Sequence, residues 1–351
     1  MPAPLLPEDG EVLAATPART WDDLRGARLL VTGGTGFVGT WLLAALAWAN
    51  RELGLEATAV LVSRDPAAFL LRERWLGEEP WIEFVPGDVR SLVAPAGRFS
   101  HVVAGAAPSD ARLAAETPFT LMETIVEGCA RTLHAAGDAG ARGVLLLSSG
   151  AVYGRGSEGL THTPEDFEGV VERLDPRFAY HAAKRAMEAL GAAAGAQSGF
   201  EVKLARLFAF VGPWLPLDRH FAAGNFIRDG LSGGPIVVHG DGTPERSFLY
   251  AADMAVWLLT ILACGADGRA YNVGSERSVS VSELAGLVAD ALPSRPAVEV
   301  RGIAQIGGGG QRYVPSVRRA RDELGLAETV NLEDGLGRTV RWLGLRRRDS
   351  G

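Results

Sequence analysis

Tyr180-His181-Ala182-Ala183-Lys184 combines residue types and a spacing suited to proton transfer. On a helix, residues four apart share a face, so the Lys184 ammonium would lie beside the Tyr180 phenol. A nearby positive charge favours phenolate and lowers a pKa that is ordinarily about 10, making Tyr180 a general base near neutral pH. Such a pair alone also fits an ordinary surface helix, so its meaning depends on what stands upstream. There, Val144-Leu145-Leu146-Leu147 runs into Ser148-Ser149-Gly150-Ala151-Val152-Tyr153-Gly154. A continuous apolar run of this kind reads as a strand covered on both faces. Open parallel sheets bind ligands at the carboxyl ends of their strands, where Ser149 and Gly150 fall.

The element that must bring a cofactor to these groups is Leu29-Leu30-Val31-Thr32-Gly33-Gly34-Thr35-Gly36-Phe37-Val38-Gly39, followed by the apolar run Trp41-Leu42-Leu43-Ala44-Ala45-Leu46. It reads as strand, side-chain-poor turn and helix. Gly33, Gly36 and Gly39 are spaced Gly-x-x-Gly-x-x-Gly rather than Gly-x-Gly-x-x-Gly. They would let the backbone approach a pyrophosphate at the helix N-terminus, where unpaired N–H groups point at it. Expected dinucleotide contacts are Gly33, Thr35, Gly36, Phe37, Val38 and Gly39. A second strand, Ala57-Thr58-Ala59-Val60-Leu61-Val62, ends in Ser63-Arg64-Asp65. The residue there faces the adenosine ribose; an acid accepts from its 2′-OH, whereas an arginine tolerates a 2′-phosphate. Ser63-Arg64 leans towards NADP, and Asp65, one step on, could serve NAD.

Trp81-Ile82-Glu83-Phe84-Val85 is a third strand, followed by Gly87-Asp88-Val89, and His101-Val102-Val103-Ala104-Gly105-Ala106-Ala107 a fourth. Ala104 and Ala106 are small residues where a backbone would approach a cofactor closely; a family resemblance set out below adds Asp88 and Val89 to the expected cofactor contacts and Ala107 to the substrate contacts. Residues 117–136 form a helix. Strands and helices alternating at this rhythm imply a parallel sheet with helices on both faces. The expected fold is α/β, a Rossmann-type doubly wound parallel sheet with a smaller C-terminal α/β substrate lobe.

Composition narrows the function classes. With 351 residues, 47% hydrophobic and 22% charged, the chain is an ordinary globular one, long enough for two domains. A net charge of −7 argues against a nucleic-acid-binding surface. Two cysteines, Cys129 and Cys264, form no disulfide framework and no zinc-ligand spacing, so no metal is expected. The apolar run 41–49 is too short to span a bilayer. No basic segment with an apolar core opens the chain, so a cytoplasmic location is expected. Residues 1–24, with four prolines, read as a loose arm.

The glycine turn, Ser149 and the Tyr180/Lys184 pair, in this order, resemble the extended short-chain dehydrogenase/reductases. The resemblance is closest to the sugar-nucleotide epimerase/dehydratase branch that includes UDP-galactose 4-epimerase, and it runs from about residue 26 to 345. Arg206-Leu207-Phe208-Ala209-Phe210-Val211-Gly212-Pro213 is similar to that branch's Arg-x-Phe-x-x-x-Gly-Pro segment. Gly240-Asp241-Gly242, with Arg246-Ser247-Phe248-Leu249-Tyr250-Ala251-Ala252-Asp253, is similar to its Gly-Asp-Gly…Arg-x-Phe-x-Tyr-x-x-Asp segment. Tyr271-Asn272-Val273-Gly274 and the closing helices, with Thr339-Val340-Arg341-Trp342-Leu343 in the last, match as well.

The resemblance implies that Tyr180 is the acid/base on a sugar hydroxyl or ketone. Lys184 would tune it and hold the nicotinamide ribose, and Ser149 would bond the same sugar oxygen. Asp88 would take the adenine amino group, Arg246 the sugar-nucleotide diphosphate, and Asn225 a substrate phosphate. It implies a dinucleotide-binding domain (25–206 and 250–275) and a substrate lobe (207–249 and 276–345), with the substrate in the cleft between. It also implies a homodimer joined through the helices at about 111–136 and 180–198. Ala209 and the region near Ile125 depart from asparagines common in relatives, and Ser316 from an aspartate. His181 and His220 lie near the expected site, although a lone histidine is more often structural. Gly307-Gly308-Gly309-Gly310 is a glycine loop in the lobe. In the branch's 4,6-dehydratases an Asp and a Glu follow the catalytic Ser/Thr, and the decarboxylating relatives also keep a Glu there; this chain has Gly150 and Ala151. The expected activity is therefore nucleotide-sugar 4-epimerisation with bound NAD. NAD(P)H-dependent 4-ketoreduction is the alternative and 4,6-dehydration a weaker one.

Overall fold

In the strands of this protein, alternate residues of one apolar run enter two different cores. Leu29, Val31, Leu145 and Leu147 pack on one face of the sheet, while Leu30, Val144 and Leu146 pack on the other. A strand's side chains point to opposite faces in turn, so a run buried on both sides must be apolar throughout. The computed structural model describes residues 5–108, 116–155, 159–172, 174–219, 221–302 and 312–349. His220 and the 307–310 glycine loop lie outside the described residues.

In chain order the strands are β1 (Arg28–Thr32), β2 (Thr58–Ser63), β3 (Ile82–Pro86), β4 (His101–Ala104), β5 (Gly143–Ser149), β6 (Glu201–Leu207) and β7 (Ala209–Val211). They continue with β8 (Ile236–Val238), β9 (Glu245–Arg246), β10 (Phe248–Tyr250), β11 (Arg269–Val273), β12 (Val279–Ser280), β13 (Val298–Val300) and β14 (Arg312–Tyr313). Seven form one sheet in the order β11-β6-β5-β4-β1-β2-β3, and every neighbouring pair is parallel. The order reverses between β1 and β4, and at such a switch point two crossovers leave on opposite faces and open a crevice. The helix Phe37–Leu53 covers one face with the largely apolar Ala251–Cys264. Helices Pro118–Asp138 and Ala179–Ser198 cover the other and pack on each other. This is the Rossmann-type α/β architecture expected.

The N-terminal segment corrects the expectation of a loose arm. Residues Pro7–Ala14 and Ala18–Leu24 are helices. Asp9 is buried and accepts from the Tyr250 hydroxyl at 2.8 Å, and the Thr20 hydroxyl donates to Thr260 at 3.1 Å. Pro7 stands in a first helical turn, where a missing N–H costs nothing, so it marks a start rather than a break.

Beyond β6 the chain builds small sheets. β7 pairs with β10 and β8 with β13, while β9 lies between β12 and β14. The helix Val281–Ala291 opens with a Ser280/Glu283 capping box. The pairing that matters most sets Tyr313 of β14 against Arg246 of β9.

Candidate active site

Ser149 ends β5 with its Oγ accepting from the Ala151 N–H at 3.2 Å, which holds the hydroxyl at the sheet edge. Tyr180 stands at the second position of the helix Ala179–Ser198, and Lys184 follows one turn on. Lys184 is buried and donates from Nζ to the Leu147 carbonyl at 2.7 Å. Its ammonium lies 5.8 Å from the Tyr180 ring centroid, below the ring rather than at the phenol oxygen.

The electrostatics therefore differ from the expectation. Burial raises the Tyr180 pKa above its usual value, hydrogen bonding to Ser149 pulls it back, and the net shift is upward. Burial also lowers Lys184 to about 8, with Cys129 and Glu188 opposing. Desolvation is the largest influence on both groups and opposes the ionisation of each, so burial works against phenolate here. Burial lifts the neighbouring Cys129 thiol to about 12, which keeps it un-ionised.

A polar scaffold beneath the edge fixes β5, β6 and the catalytic helix together. Arg206 donates to both Glu188 oxygens at 3.0 and 2.8 Å and to the Tyr153 hydroxyl at 3.0 Å. Tyr153 donates in turn to Asn272 Oδ1 at 2.6 Å, and Ser148 donates to Glu188 at 2.5 Å. Arg206 and Asn272 fall in stretches that carried the family resemblance, and together with Tyr153 they tie these elements together.

The glycine turn tests whether a dinucleotide fits. Gly33 has φ +75°, and a Cβ there would stand 2.4 Å from the Gly105 carbonyl, so the β1 and β4 turns meet with no side chain between them. On Gly39 a Cβ would stand 2.3 Å from the Gly34 Cα, which seats the helix against the turn. Gly36 differs: a Cβ there would meet only the Gly33 carbonyl oxygen, at an ordinary 3.5 Å. Among the described residues that oxygen is the one atom within 4 Å of such a Cβ, and no side-chain cap closes the start of the helix Phe37–Leu53. An uncapped helix start at a glycine that meets only one ordinary contact suits a pyrophosphate.

The other expected cofactor residues line the same edge of the sheet. Ser63 ends β2 and Ala104 ends β4. Asp65 is committed to capping the helix Pro66–Arg72, accepting from the Ala68 N–H at 2.9 Å, which leaves Ser63 and Arg64 at the β2 end. Asp88 is gripped by Arg90 at 2.9 and 3.0 Å and is held down to about 2 by these hydrogen bonds.

Among the expected substrate residues, Gly150 and Arg246 come together through Tyr313. The Arg246 guanidinium is 5.9 Å from the Tyr313 ring, and a Cβ on Gly150 would stand 2.6 Å from the Tyr313 hydroxyl and 2.7 Å from the Phe208 ring. Asn225 sits on the helix Ala222–Leu231, where its Oδ1 accepts from Arg228 at 3.2 Å; no contact joins it to Ser149 or Tyr180. His181 packs its ring 4.9 Å from Phe178, with Nδ1 buried and unpartnered. Tyr313 and Phe208 were not anticipated at the site, because Tyr313 bears no fixed spacing to Tyr180 and reaches it only through β14–β9 pairing.

A doubly wound sheet, an uncapped glycine turn at its switch point and the Ser149, Tyr180 and Lys184 side chains near the adjacent strand end make the frame of a dinucleotide-dependent enzyme. The chain belongs to the NAD dependent epimerase/dehydratase family, which it matches over residues 29–274. It is 29% identical over 313 residues to UDP-glucuronic acid decarboxylase 3 of Arabidopsis thaliana, covering 88% of this chain and 86% of that one. Among solved structures it is similar to a double mutant of DesIV, the dTDP-glucose 4,6-dehydratase of Streptomyces venezuelae, with NAD bound. The TM-score is 0.77 and identity 28%, over 92% of this chain and 98% of that one. It shares its fold with UDP-glucose 4-epimerase of Thermotoga maritima at TM-score 0.74 and 20% identity, over 91% and 99% of the two chains. The family's reactions are NAD-dependent transformations of nucleotide sugars. Among the described residues, no helix is long and apolar enough to cross a membrane.

Proposed function

We propose that this protein is a nucleotide-sugar 4-epimerase using bound NAD. One observation carries the choice among the family's reactions. The turn after Ser149 offers no carboxyl group, and the room above Gly150 is filled by the Tyr313 hydroxyl and the Phe208 ring. Elimination of water across C5 and C6 needs a separate acid and base, and Gly150 and Ala151 can move no proton. Epimerisation at C4 needs one acid/base and its hydrogen-bond partner, which Tyr180 and Ser149 provide.

Gly33, Thr35, Gly36, Phe37, Val38 and Gly39 would hold the pyrophosphate, Ser63 and Arg64 the adenosine ribose, and Asp88 and Val89 the adenine. Ala104, Ala106 and Lys184 would line the nicotinamide end. Bound there, NAD supplies reversible storage of the C4 hydride, so the net reaction consumes no cofactor. Tyr180 takes the O4 proton as C4 is oxidised and returns it to O4 when C4 is reduced again. Ser149 donates to the same oxygen and keeps it within reach. Arg246 clamps the diphosphate, a task suited to a guanidinium fork. The sugar nucleotide sits in the cleft between the domain formed by 25–206 and 250–275 and the lobe formed by 207–249 and 276–345. Helices Pro118–Asp138 and Ala179–Ser198 form the homodimer face.

The test is to incubate the protein with a panel of nucleotide sugars and follow products by chromatography and NMR. Conversion to the C4 epimer without net change in absorbance at the NADH wavelength is expected. Stoichiometric NADPH consumption would replace the reading with reduction; a 4-keto-6-deoxy product or a pentose would replace it with dehydration or decarboxylation.

A further inference from the structure

The turn after β3 carries Gly87-Asp88-Val89-Arg90 at the carboxyl edge of the sheet. The Gly87 N–H donates to the Ser63 carbonyl at 2.9 Å, which sets Asp88 beside the β2 end expected to face the adenosine ribose. Val89 is seated on the helix Pro118–Asp138, where a Cβ on Gly128 would stand 2.6 Å from its side chain. The backbone of the turn is thus held from two sides.

The Asp88 carboxylate is held as well, and one residue does it. Arg90 donates from Nε to Oδ1 at 3.0 Å and from Nη2 to Oδ2 at 2.9 Å, a fork laid across both oxygens. The Arg90 backbone N–H adds a further bond to Oδ1, at 2.9 Å. The remaining guanidinium nitrogen, Nη1, donates to Glu123 of the helix Pro118–Asp138 at 3.0 Å, so the fork cannot swing away without breaking that bond. A carboxylate has about four lone-pair positions. Three are taken by Arg90, and the fourth, on Oδ2, lies on the side that the fork does not cover. The same hydrogen bonds hold the carboxyl at about 2, so it is ionised and accepts without donating.

A purine declares itself at position 6, where adenine offers N–H donors and a 6-oxo purine an acceptor oxygen. An ionised carboxylate with one open acceptor position matches the first and sets oxygen against oxygen with the second. The fork does little to hold the fold. Asp88 and Arg90 are 28% and 36% exposed, and ion pairs open to solvent add little stability. What it supplies is the direction of the carboxylate.

We propose that Arg90 is a positioning residue for the cofactor, holding Asp88 as a single fixed acceptor so that the site selects a 6-amino over a 6-oxo purine dinucleotide. The proposal rests on the reading of Asp88 as the adenine contact given above. Arg64, at the β2 end, also bears on Asp88, and Glu123 bears on Arg90.

The test displaces bound NADH, followed by its fluorescence, with NAD and with nicotinamide hypoxanthine dinucleotide, and reads the ratio of the two Kd values. The unaltered protein is expected to favour NAD by about tenfold or more, the worth of a hydrogen bond to a charged group. Arg90→Met should bring the two within about twofold, weakening NAD while leaving the hypoxanthine analogue nearly unmoved. Arg90→Lys keeps the charge but offers a point in place of a fork, and should lose most of the preference too. In Asp88→Asn the donors on Oδ1 leave the amide nitrogen where Oδ2 stood, so the preference should pass to the hypoxanthine analogue. An Arg90→Met protein of unchanged Tm that keeps the preference for NAD would overturn the proposal, as would an Arg90→Lys protein that keeps it in full. If Asp88→Asn also leaves the ratio unmoved, the reading of Asp88 falls as well; if it moves the ratio, the role of Arg90 falls alone. No sugar enters the measurement, so it is decided apart from which reaction the enzyme performs.

Discussion

Lys184→Met should make the protein more stable and less active, and the gain should vanish at high pH. The ammonium is 3% exposed, and burial lowers its pKa from 10.5 to about 8. At 1.36 kcal/mol per pH unit, that fall is about 3 kcal/mol against the charged form in the fold. Methionine fills nearly the same volume without that penalty, but it strands the Leu147 carbonyl, which now accepts from Nζ at 2.7 Å, at a cost of about 1–2 kcal/mol. The net expectation at pH 7 is a gain of about 1–2 kcal/mol. The folded pKa lies below the unfolded value, so between pH 8 and 10.5 the unfolded chain binds the extra proton and wild-type stability climbs with pH. Below that window the penalty is fully present, and above it the neutral amine keeps its hydrogen bond at no desolvation cost. Urea denaturation of the cofactor-free proteins, followed by tryptophan fluorescence at pH 7 and pH 10, should show the variant ahead at the first and level or behind at the second. A variant less stable at pH 7, or a difference constant between the two, would refute the reasoning.

Tyr180→Phe should fold and bind NAD like the wild type while turnover falls roughly 10²–10⁴-fold, the worth of a positioned acid/base; steady-state kinetics on the substrate the panel identifies would show it. Gly150→Ala must displace the Tyr313 hydroxyl or the Phe208 ring, now 2.6 and 2.7 Å from the added Cβ, and should cost about 1–3 kcal/mol in chemical denaturation. Nucleotide released on denaturing the purified protein should be NAD by mass spectrometry; finding NADP instead would put a 2′-phosphate on Arg64.

The strand, turn and helix around Gly33, Gly36 and Gly39 were legible because each rests on local properties: unbroken apolar runs, missing side chains and a helix start. The parallel sheet followed from the alternation of such units. The Tyr180/Lys184 pair was legible as a spacing, since one helical turn separates them whatever surrounds the helix. What surrounds it was not. Burial decides that Lys184 spends its proton on Leu147 and that Tyr180 is harder to ionise than a free phenol, and burial depends on everything packed against the helix. The first 24 residues show the same limit, since prolines that suggested a break begin helices whose partners, Tyr250 and Thr260, are more than two hundred residues away. Tyr313 is the extreme case. It reaches Leu207 and Gly150 only because β14 pairs beside β9, a contact that no spacing along the chain encodes and that long-range packing alone creates.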